Sequence, residues 1–549
     1  MSFPEWLQKN EKYIMPLILV GFILLVFSNY AYLLPVDFRG SCDEGDIGRD
    51  LYYFYLVSKG QLPYIDFNWI YGPLSTVLNG ITFKIFGVSA FNALTLWYIT
   101  YVIAIFLVYY LVKSFYSPSA GCLAGVLFIV YYESLLIPVF NHVTGLPFVI
   151  LSLLFIKRYL ENQTIKYLYI IAILCFLLCI TKLNIGIAFT VTLFFCLILF
   201  DFINKRDLKV YTGPLLTVTG LTTLVYGFLI FNSPLDQLAK SFPYGSDTHM
   251  VSSKSLLESL FEVHKSFIYG YDSYILTNPI LEKLFYLFTF NIWYFVVILI
   301  GFIVSFKIFK NEGKQSISMA YIMTLSILAL SLTHEFILTG KTNSLKAWSL
   351  SVIIPLSFYI FKYARDKWHD HHDYKQTIPV LRIILILCVA VKSIVFLMPA
   401  GHTSSYCKND RLKISVLHEY WYETMNNCVE YIQSHTNENE KVLTLPYNSL
   451  YNFISRRDHP SRYNEFLWIT GITEQDQHRV IDDLEKNKVR LIMYTIKRSI
   501  PEAGGFGTFG VTHCEILDKY IKDNYHIDES FKSSYFGIHF YHRNTDFKE

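Results

Sequence analysis

Repeated apolar runs are the feature that most constrains this chain. A transmembrane helix needs roughly 20 consecutive apolar residues, and about eleven runs of that kind can be read along the sequence. They lie at approximately 14–34, 90–112, 118–137, 143–160, 165–182, 186–203, 210–231, 284–308, 317–338, 344–363 and 377–399. Because 53% of the residues are hydrophobic, a soluble fold would leave too much apolar surface in water. We therefore predict an all-α polytopic membrane bundle.

The distribution of Lys and Arg predicts the orientation of the bundle. Short connections rich in Lys and Arg remain cytoplasmic. With eleven spans, every second connection between them is basic. The basic positions are Lys9, Lys12, Lys113, Lys157, Arg158, Lys166, Lys205, Arg206, Lys209, Lys307, Lys310, Lys314, Lys362, Arg365 and Lys367. We expect a cytoplasmic N-terminus and an external C-terminus, with the first run kept as an uncleaved span. The net charge of +3 gives no indication of a nucleic-acid partner.

The periodicity changes near residue 400. Residues 1–399 are predicted to form the membrane domain, with long outer segments at 35–89 and 232–283, and residues 400–549 a small soluble α/β domain outside the membrane. In that domain we expect helices at about 416–434 and 474–487, and a Thr512–Glu515 capping box at the head of another helix. Cys407 and Cys428 form either a disulfide or two free buried thiols.

Polar residues near the spans collect at the predicted outer ends. An ionisable group inside a membrane is costly, so its position is informative. The set comprises Asp43, Glu44, Asp46, Asp66, Glu133, His142, Lys182, Asn184, His334, Glu335, Lys341, Lys346 and Lys392. A single lysine near a helix end can simply reach toward water, but acids and histidines are too short to do so. A transporter would place such groups near the midplane, so the one-sided arrangement favours an enzyme that meets a lipid-borne substrate at the outer surface.

The stretch "SCDEGDIGRDLYYFYLVSKGQLPYIDFNWIYGPL", residues 41–74, holds the densest group of acids. Ser41 and Glu44 have capping-box spacing, which predicts an amphipathic helix of about 44–59 lying along the membrane interface. Asp46 is expected in its first turn, paired with Arg49. Asp43 precedes the helix and takes no part in the capping box, so it is the strongest candidate for a catalytic residue. Asp66 follows in a loop rich in aromatic residues.

This acidic pair, the helix, "PYIDF" and "YGPL" together resemble the first outer loop of the GT-C superfamily of glycosyltransferases. The resemblance is to bacterial members of the group that includes protein O-mannosyltransferases, aminoarabinose transferases and lipopolysaccharide-core galacturonosyltransferases. "KIFGVS" at 84–89, "TKLNIG" at 181–186 and the tail sequence "VLTLPYNSLYNFISRRDHPSRY" extend it over nearly the whole chain. Such enzymes are hexosyl- or pentosyltransferases that take a sugar from a polyprenyl phosphate and pass it to an acceptor at the outer face of the membrane.

The resemblance implies roles for individual residues. Asp43 corresponds to the catalytic base, with Glu44 beside it, and Asp66 to the acid of the second motif. Lysines would hold the donor phosphate, and the candidates are Lys182, Lys341, Lys346 and Lys392. Asp46, His142, Tyr71, His334 and Glu335 are further site candidates. A single base favours an inverting displacement. The chain departs from the mannosyltransferases, which have His-Pro-Pro-Leu where it has Tyr71-Gly72-Pro73-Leu74, and "THEFILTGK" lacks the Arg that relatives place near His334.

Several alternatives stay open at this point. We expect no cofactor, although Asp43, Glu44 and Asp46 are oxygen ligands that suit a divalent metal; "HDHHD" at 369–373 reads as a solvated cytoplasmic loop rather than a metal site. The expected partners are a polyprenyl-phosphate sugar, membrane lipid, and a glycan, lipid or protein acceptor. A bacterial inner membrane with a periplasmic C-terminal domain is the predicted location. The alternative function is a flippase or transporter of lipid-linked saccharides without transfer chemistry.

Overall fold

The fold is seen in a computed structural model of the full chain. The structure describes residues 3–30, 33–34, 43–132, 139–233, 292–334, 337, 345–368, 404–417, 419–467, 471–497, 508–532 and 536–544. The side chains of Asp43, Glu44 and Lys346 lie outside this description, as do all of Glu133, Glu335, Lys341 and Lys392. The predicted eleventh span at 377–399, most of the outer segment at 232–283 and the "HDHHD" run also lie outside it.

The membrane part is helical, as predicted. The helices are α1 (Phe3–Tyr30), α2 (Asp43–Ser58), α3 (Pro73–Phe86), α4 (Ala90–Phe115), α5 (Pro118–Tyr131), α6 (Phe140–Asn162), α7 (Ile165–Cys179), α8 (Leu183–Ile203), α9 (Thr212–Asn232), α10 (Ile292–Glu312), α11 (Ile317–Ser331) and α12 (Leu350–Trp368). Within the described ranges, seven helical segments are long and apolar enough to cross a membrane. The polytopic bundle is therefore confirmed.

Three of the predicted spans are shorter than the sequence pattern indicated. α5, α7 and α11 have 14, 15 and 15 residues, which falls below the roughly 20 residues that a span perpendicular to the membrane requires. Apolar residues continue past the end of α7, but Ile180 and Thr181 turn there to bond with the first outer loop. Hydropathy alone does not register such a turn, because the turning residues are themselves apolar or small.

The helix ends with basic connections meet at one end of the bundle. Polar contacts join these ends in a chain: Glu11 with Ser119, Tyr116 with Arg365, Glu312 with Lys367, Lys314 with Asn204, and Asp201 with Tyr159. The alternation of basic connections in the sequence thus corresponds to a single face of the fold. We refer to it as the basic end, and to the opposite face, which carries α2, as the loop end.

The C-terminal segment, which we call the tail, forms a small α/β unit at the loop end. It contains β2 (Ser404–Tyr406), β3 (Ser415–Leu417), α13 (Glu419–His435), β4 (Val442–Leu445), α14 (Ser449–Ser455), α15 (Glu474–Lys486), β5 (Leu491–Lys497), α16 (Glu515–Asn524), β6 (Tyr525–Lys532) and β7 (Phe536–Arg543). The strand order is β4-β5-β7-β6, with β4 parallel to β5 and the other pairs antiparallel. The α/β character of the tail is confirmed.

Two details of the tail differ from the sequence-based expectations. The prediction of a Thr512–Glu515 capping box is wrong. α16 begins after Cys514 without a side-chain cap, and the Thr512 hydroxyl contacts Thr508 instead. A capping box does occur at α15, between Thr473 and Asp476. The disulfide alternative is also wrong, because Cys407 and Cys428 are buried thiols that form no disulfide with each other.

The tail is paired with the first outer loop. The short strand β1 (Leu33–Leu34) runs parallel to β3, and β3 is antiparallel to β2. α2 lies between α3 and α14, and every residue from Ile47 to Leu56 is buried. The sequence predicted a helix lying along the membrane interface. The observed helix begins one residue earlier, so that Asp43 is its first residue, and its outer face is covered by the tail rather than by water.

The "YGPL" motif fixes this loop to the membrane helices. The Gly72 N–H donates to the carbonyl oxygen of Thr181 at 3.1 Å, and the Leu74 N–H donates to that of Ile180 at 2.9 Å. A Cβ on Gly72 would overlap the backbone of Ile180 and Thr181. Glycine at this position therefore permits the close approach of two backbones, and Pro73 begins α3 immediately afterwards.

We expect Gly72→Ala to destabilise the fold. The added methyl group would meet backbone atoms, which cannot move aside as a side chain does, so the cost should reach about 2 kcal/mol or more. Thermal unfolding of the detergent-solubilised protein measures it. Gly220→Ala is the matched control, because a Cβ there would have no neighbour within 4 Å. Equal stability of the two variants would contradict the proposed role of the Gly72 contact.

Candidate functional site

A buried arginine organises the loop end. Arg49 lies in the second turn of α2, and its side chain is 4% exposed. Its guanidinium nitrogens lie 3.3 Å from Asp46 Oδ1, 2.9 Å from Asp50 Oδ1 and 3.5 Å from Glu465 Oε1. The predicted Asp46–Arg49 pair is thus present, and Asp50 and Glu465 join it. A buried cation is tolerated because carboxylates offset the loss of hydration.

Aromatic rings enclose the same guanidinium. The Cζ atom of Arg49 lies 5.5 Å from the ring centre of Trp69, 5.4 Å from Tyr71 and 5.9 Å from Tyr447. The Tyr447 hydroxyl donates a hydrogen bond to Asp46 Oδ1. The rings exclude water, which strengthens each charge interaction inside them. We call Asp46, Arg49, Asp50, Tyr447 and Glu465 the arginine cluster.

Burial changes the protonation of two carboxyl groups in the arginine cluster, those of Asp50 and Glu465. It raises the pKa of Asp50 to about 6, although the charge of Arg49 opposes the shift. Burial likewise raises the pKa of Glu465 to about 6, and the neighbouring acids Asp46 and Asp50 contribute in the same direction. Asp50 and Glu465 therefore exchange protons near pH 6, well above the usual range for carboxyl groups.

Tyr71 links the arginine cluster to a second buried cation. Lys182 stands in the turn between α7 and α8, the turn to which Gly72 binds, and its Nζ lies 5.7 Å from the ring centre of Tyr71. The same Nζ is 3.3 Å from His142 Nε2. The His142 ring packs against Trp348 at 5.3 Å between ring centres. Lys182 and His142 are both almost completely buried.

The loop between α2 and α3 is held by its own hydrogen bonds. The Tyr64 hydroxyl donates to the carbonyl oxygen of Tyr71, and Trp69 Nε1 donates to that of Gly72 at 3.2 Å. Asp66 is exposed, and its Oδ2 accepts the Leu62 N–H at 2.7 Å. These bonds keep the ring of Tyr71 between Arg49 and Lys182, with Asp66 in a turn that supports the loop.

The structure brings some predicted site residues together and leaves others apart. Asp46, Tyr71, His142 and Lys182 belong to one continuous set of contacts. His334 makes a local contact, from Nδ1 to the carbonyl oxygen of Ser331 at 2.8 Å. Asp43 and Glu44 begin α2, and Lys346 belongs to a single π-helical turn, Leu345–Ser349. The roles assigned to Asp43, Glu44, Asp66 and the lysines stay predictions.

The sequence pattern did not indicate Asp50, Trp69, Tyr447 or Glu465 as site residues. Asp50 and Trp69 lie within the first-loop stretch, where they resemble ordinary helix and aromatic positions. Tyr447 and Glu465 lie about 400 residues from Arg49 in the chain. No spacing rule connects residues so far apart. Among the residues with described side chains, no group of three or more His, Cys, Asp or Glu residues is arranged to hold a metal ion.

The raised pKa values make stability depend on pH. Asp50 and Glu465 bind protons more tightly in the folded chain than in the unfolded chain, so their contribution is fully present below about pH 4 and is lost as the pH rises through about 6. Relative to wild type, we expect the melting temperature of the Asp50→Asn, Glu465→Gln double variant to rise between pH 4 and pH 6. A relative fall over that interval would contradict the assigned shifts.

Known proteins resemble the chain in sequence over one segment and in fold over most of its length. Residues 72–231 match the family model described as dolichyl-phosphate-mannose-protein mannosyltransferase. No curated protein matches the sequence with significant similarity. The matched segment begins at Gly72 and contains Lys182 and His142, so it covers the membrane side of the candidate site.

Solved structures resemble the fold. ArnT from Cupriavidus metallidurans bound to undecaprenyl phosphate matches with a TM-score of 0.54 and 11% identity, over 95% of this chain and 97% of that one. The Archaeoglobus fulgidus oligosaccharyltransferase tethered to an acceptor peptide matches with a TM-score of 0.55 and 14% identity, over 98% and 75%. Together with the family match, these similarities confirm the resemblance that the first-loop motif indicates: the chain has the fold of the GT-C glycosyltransferases.

Proposed function

We propose that this protein is a glycosyltransferase that moves a sugar from a polyprenyl-phosphate donor to an acceptor at the outer face of a cell membrane. The observation that carries the proposal is the docking of the first-loop motif, through Gly72, onto the turn that holds Lys182. Through the ring of Tyr71, which lies near both Arg49 and Lys182, this contact connects the helix that begins with the candidate base to a buried lysine. The GT-C fold supports it, as does the undecaprenyl phosphate bound to ArnT.

Lys182 and His142 suit the phosphate of the donor. Lys182 stands immediately before α8, where the backbone dipole and the first N–H groups of the helix also favour an anion. An ammonium group held in a nearly dry site stabilises the negative charge that develops on a departing lipid phosphate. His142, 3.3 Å away, fixes the position of Nζ. Lys341, Lys346 and Lys392 remain further candidates for this role.

Asp43 is proposed as the base that accepts the proton of the acceptor hydroxyl, with Glu44 beside it. The oxygen of the acceptor would then attack the anomeric carbon as the bond to the lipid phosphate breaks, which inverts the anomeric centre. Asp66 is proposed to act on the same side, in the loop that positions Tyr71. The acceptor is a hydroxyl-bearing glycan, lipid or protein.

The basic end is proposed to face the cytoplasm, because short Lys- and Arg-rich connections stay on that side. The loop end and the unit formed by residues 400–549 would then lie outside, in the periplasm if the membrane is a bacterial inner membrane. The lipid donor would reach Lys182 from the outer leaflet. Residues 1–399 would form the membrane domain in this arrangement.

We expect Asp43→Asn to reduce transfer about 100-fold or more, since a general base typically contributes that much. Protein in lipid nanodiscs is supplied with radiolabelled undecaprenyl-phosphate sugars, a hexose, a hexuronic acid and an aminopentose, together with an envelope extract as acceptor. Asp410→Asn, an exposed position in the tail, is the control and should transfer normally. Undiminished transfer by Asp43→Asn would exclude it as the base. Movement of the lipid across the bilayer of sealed proteoliposomes by wild type, without any transfer, would favour the flippase.

Lys182→Gln should weaken the binding of undecaprenyl phosphate about 10- to 100-fold, the equivalent of one charge-assisted hydrogen bond. Microscale thermophoresis of the detergent-solubilised protein with undecaprenyl phosphate measures this directly. Lys84→Gln removes the same charge from an exposed position at the end of α3, and we expect it to bind like wild type. Equal affinity of the two variants would remove Lys182 from the donor site.

A further inference from the structure

The first two turns of α2 make their described polar contacts with the tail through two residues. Tyr447 packs its ring on Gly45, where a Cβ would overlap the ring carbons, and its hydroxyl binds Asp46. Glu465 Oε1 lies 3.5 Å from Arg49 Nη1. Gly48 similarly admits the backbone of Leu450. The helix that begins with Asp43 is therefore seated on the tail, and its glycines are what permit the close approach.

Arg49 transmits this contact along α2. A helix rises about 1.5 Å per residue, so Asp43 lies roughly 9 Å from Arg49 along the axis, with Asp46 midway. Asp46 binds both Arg49 and Tyr447. A shift of Arg49 would move Asp46, and with it the turn that carries Asp43. Displacing a reacting group by about 1 Å can lower a rate about 100-fold.

We propose that Glu465 is a positioning residue of the transferase site, and that it acts through Arg49 to hold the first turn of α2. The inference rests on the proposed function, because it concerns the rate of that reaction. It adds that the tail completes the site, so that catalysis depends on a carboxylate located about 400 residues from the base. Tyr447 serves the same turn through Asp46.

A second salt bridge at the same interface provides a matched control. At the other end of α2, Lys59 Nζ lies 3.0 Å from Asp458 Oδ2 of the tail, and both side chains are substantially exposed. Exposed pairs contribute little to stability. Glu465 differs in being directed at a buried guanidinium. If the tail served only as a cover, removing either carboxylate would affect transfer in a similar way.

The test compares Glu465→Gln, Tyr447→Phe and Asp458→Asn in the nanodisc transfer assay. We expect kcat to fall about 10- to 100-fold for Glu465→Gln and less for Tyr447→Phe, with the KM for the donor and the affinity for undecaprenyl phosphate within twofold of wild type. Asp458→Asn should leave kcat unchanged. A fall in affinity together with kcat, or the same loss for Asp458→Asn, would overturn the inference in favour of general tail docking.

The pH profile of kcat provides the second readout. The groups around Arg49 that titrate or carry charge are Asp46, Asp50, Tyr53, Tyr71, Tyr447 and Glu465. Wild-type kcat should fall as the pH drops through about 6, where Glu465 and the neighbouring Asp50 take up protons. Glu465→Gln should show a smaller fall, because only Asp50 then titrates in that range, and an unchanged profile would contradict the proposal. If wild type shows no transfer at any pH, the proposed function fails first, and the two failures are thereby distinguished.

Discussion

The structure of the loop end depends on one buried guanidinium. Arg49 is surrounded by Asp46, Asp50 and Glu465 and enclosed by aromatic rings. Removing one partner from such a buried ionic group costs about 3–5 kcal/mol, so the arginine cluster specifies a single arrangement of the elements that supply it. Those elements are α2, the aromatic loop and the tail. The same interaction therefore joins the first outer loop to the α/β unit and holds the helix that begins with the proposed base.

Backbone proximity at glycine positions makes the arrangement possible. Gly45 and Gly48 admit Tyr447 and Leu450 against α2, and Gly72 admits the turn that carries Lys182. At each of these positions a Cβ would overlap an atom of the facing segment. The consequence is a compact connection between two cations, Arg49 and Lys182, through the ring of Tyr71. An enzyme acting on a lipid phosphate benefits from such a site, because fixed charges need no rearrangement during reaction.

Several features were predictable from the sequence because they rest on local rules. Apolar runs predicted the membrane helices. The alternation of basic connections predicted which helix ends lie together, and these ends meet through contacts such as Glu312–Lys367. The spacing of Asp46 and Arg49 predicted the salt bridge between them. The motif at residues 41–74 indicated the GT-C fold. Local rules also misled: the capping box at Thr512 does not form, because its hydroxyl contacts Thr508, and α7 ends early where its following turn meets Gly72.

By itself, the sequence determined the fold class, the separation of a basic end from a loop end, and the loop that carries the candidate base. Each of these follows from periodicity or from a short motif. Only the tertiary structure decided which residues surround Arg49. Tyr447 and Glu465 reach α2 after a connection of about 400 residues, and the pKa of Glu465 is raised to about 6 by burial and by the nearby acids Asp46 and Asp50 of α2. Proximity between segments that are distant in the chain depends on tertiary packing, and the local residue patterns used for prediction do not report it.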